Sequence, residues 1–229
     1  LIQNLKWRAG YLKKYLSSFT VYHFHDTSVS SPMRGDCNIN DNEYLRDNGS
    51  NLAAFLYSMM QNDETNFRLI EGVVSSIAPY FKCFKLRPDV NDKERIRLEW
   101  EEKETDMYLN GYSFSDGTLR FIALATLLLQ SKTPEVIVID EPELGLHPAA
   151  INKFAELVKR ASNKSQIILS TQSTNLVNCF DVKDIIVVDR IESQSVFRHL
   201  SEEDLATWMD EYDLSISDLW EKNMIGGQL

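Results

Sequence analysis

The 229-residue sequence predicts an α/β protein in which helices flank a parallel sheet. Three apolar, β-branched runs, at 135–140, 166–171 and 184–189, have the length and composition of buried strands. Helical segments separate these runs, and such alternation is typical of parallel βαβ units. Before residue 113 the pattern is less regular, and it predicts a mixed α+β and helical lobe in the N-terminal half.

The first half is predicted to contain helices and short strands in mixed order. A polar stretch at 47–50 offers capping residues for an apolar helical segment, and Pro79 ends the next helical segment. Alternation of charged and apolar residues over 95–100 is typical of a strand. The predicted helices cover 5–18, 51–60 and 64–78, and the predicted strands cover 20–27, 81–88 and 95–103.

From Ser113 onward the sequence alternates between helix and strand. Ligands of parallel sheets bind at the carboxyl ends of the strands. The polar residues that follow Ile139, Leu169 and Val188 are therefore the first candidates for a site. The predicted helices are 119–130, 149–162 and 174–179, between strands 135–140, 166–171 and 184–189 of one parallel sheet.

The charge of the chain is uneven. The 24 Lys and Arg residues and 34 Asp and Glu residues give a net charge of −10, and the segment 201–229 holds eight acidic residues and one basic residue. Apolar residues within that segment predict an acidic helical element packed on the body, and an interaction surface is the alternative. We therefore expect one domain in three segments: a lobe over 1–112, a core over 113–200 and the acidic segment over 201–229.

Composition excludes several classes of protein. An acidic chain has the wrong sign for a protein whose whole surface binds nucleic acid, so any DNA contact would be local. No apolar run has membrane-spanning length, no signal peptide is recognisable, and the three cysteines are widely separated, so a cytoplasmic protein is expected. If DNA is bound, the candidates are basic residues of the first half: Lys82, Lys85, Arg87, Arg95 and Arg97.

Two adjacent carboxylates, Asp140 and Glu141, stand at the carboxyl end of an apolar strand. Unpaired buried acids are costly, so a pair at this place typically holds a cation or transfers a proton. An Asp at the end of a strand can reach Mg²⁺, and the next residue can orient a water for attack on a phosphate. The alternative is structural: Asp140 would only accept backbone N–H bonds at a strand-to-helix cap.

Three segments resemble a known family in the expected order. IVIDEPELGLHP, residues 137–148, resembles the Walker B strand and D-loop of ABC-type ATPases in the RecF/SMC/OLD-like branch of the P-loop NTPases. SFSDGTLR, residues 113–120, is similar to the signature motif of that branch, with Phe114 where Leu is usual. LSTQS, residues 169–173, occupies the switch position, with Gln172 where His is usual. Stretches that resemble bacterial predicted ATPases of the AAA_21 type extend the likeness to nearly the whole chain: 22–34, 41–56 and 219–229.

The resemblance implies that ATP and Mg²⁺ are the cofactors and that two copies form a homodimer around the nucleotide. It makes Asp140 the Mg²⁺-associated acid and Glu141 the general base or water-positioning residue. A serine at a helix start suits phosphate, because the N–H groups and the helix dipole attract an anion. The alternative is that Ser115 or Asp116 only caps the helix. The signature residues that would contact nucleotide held mainly by the partner are Ser115, Asp116, Gly117 and Thr118.

Three further residues receive roles by the same resemblance. Gly145 permits the D-loop turn, and His147 either reports across the dimer or simply caps a helix. Gln172 can donate and accept hydrogen bonds but never becomes charged, unlike the usual His. We therefore expect hydrolysis that is slow or triggered by a partner and that owes little pH dependence to this residue.

One motif of the family is missing from the sequence. None of the nine glycines belongs to a GxxxxGK[ST] loop, which cradles the phosphates in P-loop NTPases. Because that loop precedes the other motifs in the family, an N-terminal lobe upstream of Leu1 is expected, and Leu in place of an initiator Met fits this view. The alternative is a chain that cannot hold nucleotide alone.

The expected function is an ATP-hydrolysing head that dimerises around ATP and Mg²⁺ and controls a partner effector, such as a nuclease, in DNA repair or phage defence. Two alternatives stay open: a non-catalytic sensor or scaffold whose ATP-driven dimerisation holds or releases the effector, and a fragment that binds no nucleotide. His23 and His25 lie two residues apart on one face of a strand and could ligate a metal, but no third ligand is evident from the sequence. The alternative for these histidines is a structural role near a lobe junction.

Overall fold

The computed structural model describes residues 10, 19–105, 107–201, 205 and 214–227. The chain forms two compact units, Leu1–Ser170 and Thr171–Leu229. Apart from Gly10, the predicted helix over 5–18 lies outside the described residues. None of the helices in the described ranges is long and apolar enough to cross a lipid bilayer.

The first unit contains both the predicted lobe and the predicted sheet. Its strands are β1 (Thr20–Tyr22), β2 (Asp36–Asn38), β3 (Phe81–Phe84), β4 (Arg95–Arg97), β5 (Glu99–Glu102), β6 (Tyr108–Asn110), β7 (Val136–Asp140) and β8 (Gln166–Ser170). Its helices are α1 (Leu52–Asn62), α2 (Glu64–Ile77), α3 (Asp116–Leu129) and α4 (Pro148–Ala161), and a 3₁₀ turn, Gly111–Ser113, precedes α3.

A parallel sheet is formed by three strands in the order β1-β7-β8. Ile137 of the middle strand pairs with Thr20 on one side and with Ile167 on the other. Most of β7 is buried, which explains why this run carries no polar residue before Asp140. The parallel sheet together with the helices of this unit confirms the predicted α/β fold class.

Helix α3 is buried along almost its whole length. Every residue over 118–129 is buried, and the helix packs against α2 and α4. It begins three residues before the predicted start at 119, because the Ser115 hydroxyl accepts a hydrogen bond from the N–H of Thr118 and caps the helix. The nearly all-apolar sequence of this helix is therefore a consequence of its central position.

Helix α4 is amphipathic and begins with Pro148 at its first position. Proline is tolerated there because that N–H has no partner within the helix. Lys159 and Arg160 lie in the last turn, where positive charge complements the helix dipole. Its buried face contains Ala150, Ile151, Phe154, Ala155, Leu157, Val158 and Ala161.

The lobe of mixed α and β structure has an aromatic core. Strands β3, β5 and β6 form an antiparallel sheet, and β2 pairs with β4. Trp100 is buried and stacks on Phe114 with ring centroids 4.6 Å apart. The Phe81 ring also stacks on Trp100, with centroids 6.0 Å apart. Phe114, which replaces the usual Leu of the signature motif, therefore anchors that motif to the lobe.

The second unit corrects one prediction. Its described elements are α5 (Thr174–Val177), a 3₁₀ turn (Val182–Asp184), β9 (Ile186–Ile191), β10 (Gln194–His199) and α6 (Ile216–Glu221). The strand predicted over 184–189 is not a third strand of the parallel sheet, because β9 pairs antiparallel with β10 in a two-stranded ribbon. Glu192 and Ser193 have φ of 48° and 66°, the conformation of a two-residue hairpin turn.

The C-terminal segment packs within this second unit. Helix α6 begins with a capping box in which Ser215 and Asp218 exchange hydrogen bonds with each other's backbone N–H groups. Leu219 is fully buried and belongs to an apolar cluster that includes Val182 and Leu200. Apart from Leu205, the predicted helical stretch between 202 and 213 lies outside the described residues.

Candidate active site

Asp140 ends β7 and lies opposite Ser170 of β8 in the parallel register. Its Oδ1 accepts a hydrogen bond from the Ser170 hydroxyl. Its Oδ2 lies 3.8 Å from Nε2 of His25, and 48% of the Asp140 side chain is exposed. The carboxylate is therefore held by a side chain of the neighbouring strand and keeps an oxygen accessible to a cation.

Glu141 adopts an unusual backbone conformation. Its φ is 39°, in the left-handed region that residues other than glycine seldom enter. Its N–H donates to the Ser170 carbonyl oxygen at 2.9 Å, so the chain turns sharply while it is still bonded to β8. Strain of this kind concentrates at functional sites, and here it falls on the predicted general base.

The signature residues form the start of α3. The Ser115 hydroxyl lies 2.8 Å from the Thr118 hydroxyl and accepts from the Thr118 N–H at 3.2 Å. The Thr118 hydroxyl lies in turn 3.2 Å from the Tyr80 hydroxyl. Ser115 is thus the helix cap that the sequence offered as an alternative, and capping places it at the positive end of the helix dipole.

A buried arginine holds the signature loop. Arg34 is 5% exposed and donates hydrogen bonds to the carbonyl oxygens of Thr27, Gly111 and Phe114 at 2.6 to 2.9 Å. Its Nη2 also pairs with Oδ1 of Asp116 at 2.7 Å. Asp116 is therefore engaged by a cation within the same unit. Arg34 fixes the backbone that leads into α3, because a guanidinium can bond several oxygens at once.

The D-loop contacts the signature helix directly. Gly145 has a φ of 76°, which only glycine adopts at little cost. A Cβ atom at Gly117 would overlap the carbonyl oxygen of Gly145. Gly117 therefore allows the first turn of α3 and the D-loop to approach each other, and the two motifs form one structural unit.

His147 caps α4. Its Nδ1 accepts a hydrogen bond from the N–H of Ala149 at 3.2 Å, which requires an unprotonated Nδ1. His147 is therefore a helix cap, as one of the two sequence interpretations expected. A role of His147 across a dimer stays a proposal.

Arg120 joins α3 to the segment that follows β1. Its Nε and Nη2 donate to the carbonyl oxygens of Phe24 and His25 at 2.9 and 2.8 Å. Burial lowers the pKa of Arg120 below its usual value, while Asp116 and Glu143 act in the opposite direction. Arg120 thereby fixes the backbone beneath His25.

The sequence did not predict that His23 and His25 lie close to Asp140 and Glu141. A shallow cleft at the end of the sheet is lined by residues from three parts of the chain: Phe24, His25, Arg120, Asp140, Glu141 and Pro142. The pairing of Tyr22 with Ile139 brings the two segments into register. The alternation of histidines with buried aromatic residues over 22–25 was the available signal, but the neighbouring strand could not be identified from sequence.

Gln172 lies in the second unit, between β8 and α5, and its side chain is exposed. Ser173, next along the chain, caps α5 by accepting a hydrogen bond from the N–H of Leu176. The catalytic role of Gln172 stays a prediction.

The residues at the sheet end fit Mg²⁺. This ion prefers oxygen ligands and is usually held by one or two carboxylates together with substrate phosphates. Asp140 offers an accessible carboxylate oxygen, the Ser170 hydroxyl lies beside it, and Glu141 follows. The start of α3, with its Ser115 cap, fits a phosphate.

A family model describes most of this chain. Residues 33–178 match the AAA_21 family, described as "AAA domain, putative AbiEii toxin, Type IV TA system". The match includes the signature residues, the paired acids and Gln172, and it covers more than half of the 229 residues.

Curated relatives resemble parts of the chain. The Old nuclease of Escherichia phage P2 is 31% identical over 111 residues, which covers 43% of this chain and 19% of that protein. ABC transporter A family member 11 of Dictyostelium discoideum is 30% identical over 111 residues, 43% of this chain and 13% of its own. The energy-coupling factor transporter ATP-binding protein EcfA2 of Staphylococcus aureus is 26% identical over 136 residues, 56% of this chain and 46% of its own. The chain thus spans less than half the length of each of these relatives.

Solved SMC heads share the fold. A structure described under "ATP-driven dimerization and DNA stimulated activation of SMC ATPases" aligns with a TM-score of 0.51 and 20% identity, over 69% of this chain and 98% of that one. An SmcHead bound to the C-winged helix domain of ScpA aligns with a TM-score of 0.52 and 21% identity, over 66% of this chain and 47% of its own. At these identities the likeness establishes the fold. With the family match, it shows that the chain belongs to the AAA_21 family and is an ABC-type ATPase domain of the RecF/SMC/OLD-like branch of the P-loop NTPases.

Proposed function

We propose that the chain supplies the hydrolytic residues of an ATPase head that dimerises around ATP and Mg²⁺. The observation that carries the proposal is the placement of Asp140 and Glu141 at the carboxyl end of the central parallel strand. That edge is where open α/β sheets bind ligands. A single domain therefore presents a cation-binding acid, a second acid and an anion-binding helix start.

Asp140 and Glu141 have different roles in the proposed hydrolysis. Mg²⁺, when bound, neutralises charge on the phosphate oxygens. Asp140 supports that cation with its accessible oxygen, and the Ser170 hydroxyl fixes the orientation of the carboxylate. Glu141, whose backbone is strained, orients a water for in-line attack.

The start of α3 serves the partner's nucleotide in the proposed dimer. Ser115 and the first-turn N–H groups contact the γ-phosphate that the other copy holds. The contact between Gly117 and Gly145 transmits a shift of this helix start to the D-loop. Arg34 offsets the negative charge of Asp116, which would otherwise oppose binding of an anion at this helix end.

The proposed ATPase head needs a phosphate-cradling loop, and we propose that residues outside this sequence supply it. In the described residues β8 pairs only with β7, and Ile168 on β8 is 45% exposed. Parallel sheets are normally covered on both faces and continued at such an edge. We propose that a strand carrying the GxxxxGK[ST] loop pairs with the open edge of β8.

The proposed biological role is control of an effector. The Old nuclease is a nuclease by name, and the matching family model is described as a toxin of a toxin–antitoxin system. Both fit a head whose nucleotide state governs a damaging partner activity. We propose that this occurs in the cytoplasm, in phage defence or DNA repair. A sensor that holds or releases the effector without needing turnover is the competing form of this proposal.

The test uses the protein encoded by the complete reading frame, which we expect to contain a GxxxxGK[ST] loop upstream. Glu141→Gln should retain ATP and the ATP-dependent dimer while ATP hydrolysis falls by about 10²–10⁴-fold. Asp140→Asn should weaken Mg²⁺-dependent nucleotide binding itself. Dimerisation is measured by light scattering with and without ATP, and hydrolysis by phosphate release.

The same variant separates the two forms of the proposal. Loss of effector activity in Glu141→Gln indicates that turnover is required, whereas retained activity indicates a sensor. Absence of nucleotide binding by the complete protein would refute both. Gln172→His should change the rate of hydrolysis and its pH dependence near neutrality, and an unchanged rate would remove Gln172 from the site.

A further inference from the structure

We propose that His23, His25 and Asp140 form a binding site for a divalent transition-metal ion, with Zn²⁺ as the preferred occupant. One donor atom from each of the three side chains lies within 4.8 Å of the other two. Two imidazoles and a carboxylate are a donor set that zinc and similar ions favour. The site does not require nucleotide, so it goes beyond the proposed ATPase function.

The two histidines share a face because the chain is extended after β1. Tyr22 and Phe24 are buried at 3% exposure each, and side chains of an extended chain alternate between faces. His23 and His25 therefore lie together on the opposite face, with ring centroids 5.9 Å apart. This spacing provides two of the three ligands.

The third ligand comes from the neighbouring strand. Strands β1 and β7 are parallel, and Tyr22 pairs with Ile139, so the residues that follow each strand are adjacent. Nε2 of His25 lies 3.8 Å from Oδ2 of Asp140. The sheet register thus supplies the carboxylate that the sequence could not identify.

The ligands are supported by hydrogen bonds to other groups. Arg120 donates to the carbonyl oxygen of His25, and the N–H of His23 donates to the carbonyl oxygen of Asp47 at 2.9 Å. The Ser170 hydroxyl bonds Oδ1 of Asp140 and leaves Oδ2 for a cation. The Ser170 bond orients a ligand carboxylate directly, and such contacts raise affinity in metal sites. The other two bonds fix the backbone that carries the histidines.

Only a small adjustment is needed to bind an ion. Zinc bonds to nitrogen and oxygen are about 2.0–2.1 Å, which places ligand atoms of a tetrahedral site about 3.3 Å apart. The His25–Asp140 distance of 3.8 Å is already close to this value. His23 is exposed, so rotation of its side chain can close the remaining gap without disturbing the core.

The donor set also predicts selectivity. Mg²⁺ prefers oxygen ligands in octahedral geometry and gains little from imidazole nitrogens. Imidazole favours Zn²⁺, and three protein ligands leave a position for water. We therefore expect Zn²⁺ to bind here more tightly than Mg²⁺.

The experiment is a Zn²⁺ titration of the full chain, stripped of metal with a chelator and without nucleotide. Calorimetry should show one equivalent bound at this site. His23→Gln and His25→Gln should each weaken binding by about tenfold or more, as should Asp140→Asn. The chain has four histidines, so His147→Asn and His199→Gln are matched controls that should leave the affinity unchanged.

Thermal unfolding provides a second readout. Zn²⁺ should raise the Tm of the unmodified chain, because a ligand that binds only the folded state stabilises it, and should raise the Tm of His23→Gln by a smaller amount at the same Zn²⁺ concentration. His23 is exposed, so this variant tests the site even if His25→Gln fails to fold. Unchanged zinc affinity in His23→Gln, or an equal loss in His147→Asn, would overturn the proposal.

The zinc site and the ATPase site share Asp140, but different measurements test the two proposals. Glu141→Gln should bind Zn²⁺ normally while losing hydrolysis in the complete protein. A chain that hydrolyses ATP but shows no histidine-dependent zinc binding refutes the metal site alone, and zinc binding without nucleotide binding refutes the ATPase proposal alone.

Discussion

Two buried arginines fix the backbone around the candidate site. Arg34 and Arg120 are each 5% exposed, and both donate hydrogen bonds chiefly to backbone carbonyl oxygens. A guanidinium stays charged when buried and bonds several oxygens in a fixed geometry. These two cations therefore stabilise the signature loop and the segment that follows β1, and the proposed chemistry belongs to Asp140 and Glu141.

Glu141 offers a stability test at the residue scale. Its φ of 39° is strained for any residue with a Cβ and most of all for a β-branched one. We expect Glu141→Gly to be at least as stable as the unmodified chain and Glu141→Val to be less stable by about 1–2 kcal/mol. Urea unfolding measures both values.

The matched position for this series is Glu156, which lies within α4 and is exposed. There Glu156→Gly should be less stable than Glu156→Val, because glycine is the poorer helix former. The same order of variants at both positions would show that Glu141 is not strained.

Single residues show where sequence reasoning reaches its limit. Asp140 and Glu141 could be identified because an apolar strand followed by two acids is a local pattern. The contact between His25 and Asp140 joins positions more than a hundred residues apart in the sequence. The hydrogen bond from Arg34 to Gly111 joins positions 77 residues apart. Such contacts depend on strand register and loop packing, which no local pattern contains.

At the scale of elements, the close approach of α3 to the D-loop predicts that Gly117 does not tolerate alanine, although it lies in a helix. Gly117 and Gly72 both lie in helices, where alanine is normally better by about 1 kcal/mol. A Cβ at Gly72 would meet nothing within 4 Å, whereas one at Gly117 would overlap Gly145. We expect Gly72→Ala to raise the free energy of unfolding and Gly117→Ala to lower it by about 1–3 kcal/mol, as measured by denaturant titration. Equal stabilisation by both substitutions would contradict the contact.

The pairing of β3 with β5 predicts a pH dependence. Hydrogen bonds from Lys82 and Lys85 lower the pKa of Glu101 from its ordinary 4.5 to about 2. A depressed folded-state pKa means that this carboxylate stabilises the fold above pH 4.5, and that the contribution is lost as the pH falls toward 2. Glu101→Gln should therefore lower the Tm at pH 7 and have little effect near pH 2. Glu104→Gln, at an exposed turn, is the control, and a Tm difference for Glu101→Gln that did not shrink at low pH would argue against the ion pairs.

Elements were predictable where their signals were local. The cap at Ser115 and the apolar run of β7 were visible in the sequence, and the helices α1, α2 and α4 lie close to their predicted ranges. The β9–β10 ribbon was not predictable as such, because Glu192 and Ser193 form its turn without the Gly or Asn that normally marks a hairpin.

At the scale of the whole molecule, charge and ion pairing argue against DNA binding by this chain. The net charge is −10, and four of the basic residues offered as DNA contacts are paired with carboxylates. These pairs are Lys82 and Lys85 with Glu101, Arg87 with Glu99, and Arg97 with Asp89. A cation already paired with a carboxylate gains less from a phosphate, because it must give up its partner.

We therefore expect no binding of a short DNA duplex at protein concentrations up to about 10⁻⁵ M and about 0.15 M salt, measured by fluorescence anisotropy. The double substitution Glu99→Gln and Glu101→Gln removes the carboxylates that pair with Lys82, Lys85 and Arg87 and adds no base contact. It should create weak binding that is visible only at low salt and independent of sequence, since released counterions would provide the affinity. Strong, steeply salt-dependent binding by the unmodified chain would instead show that its local positive charge outweighs both the ion pairs and the net charge.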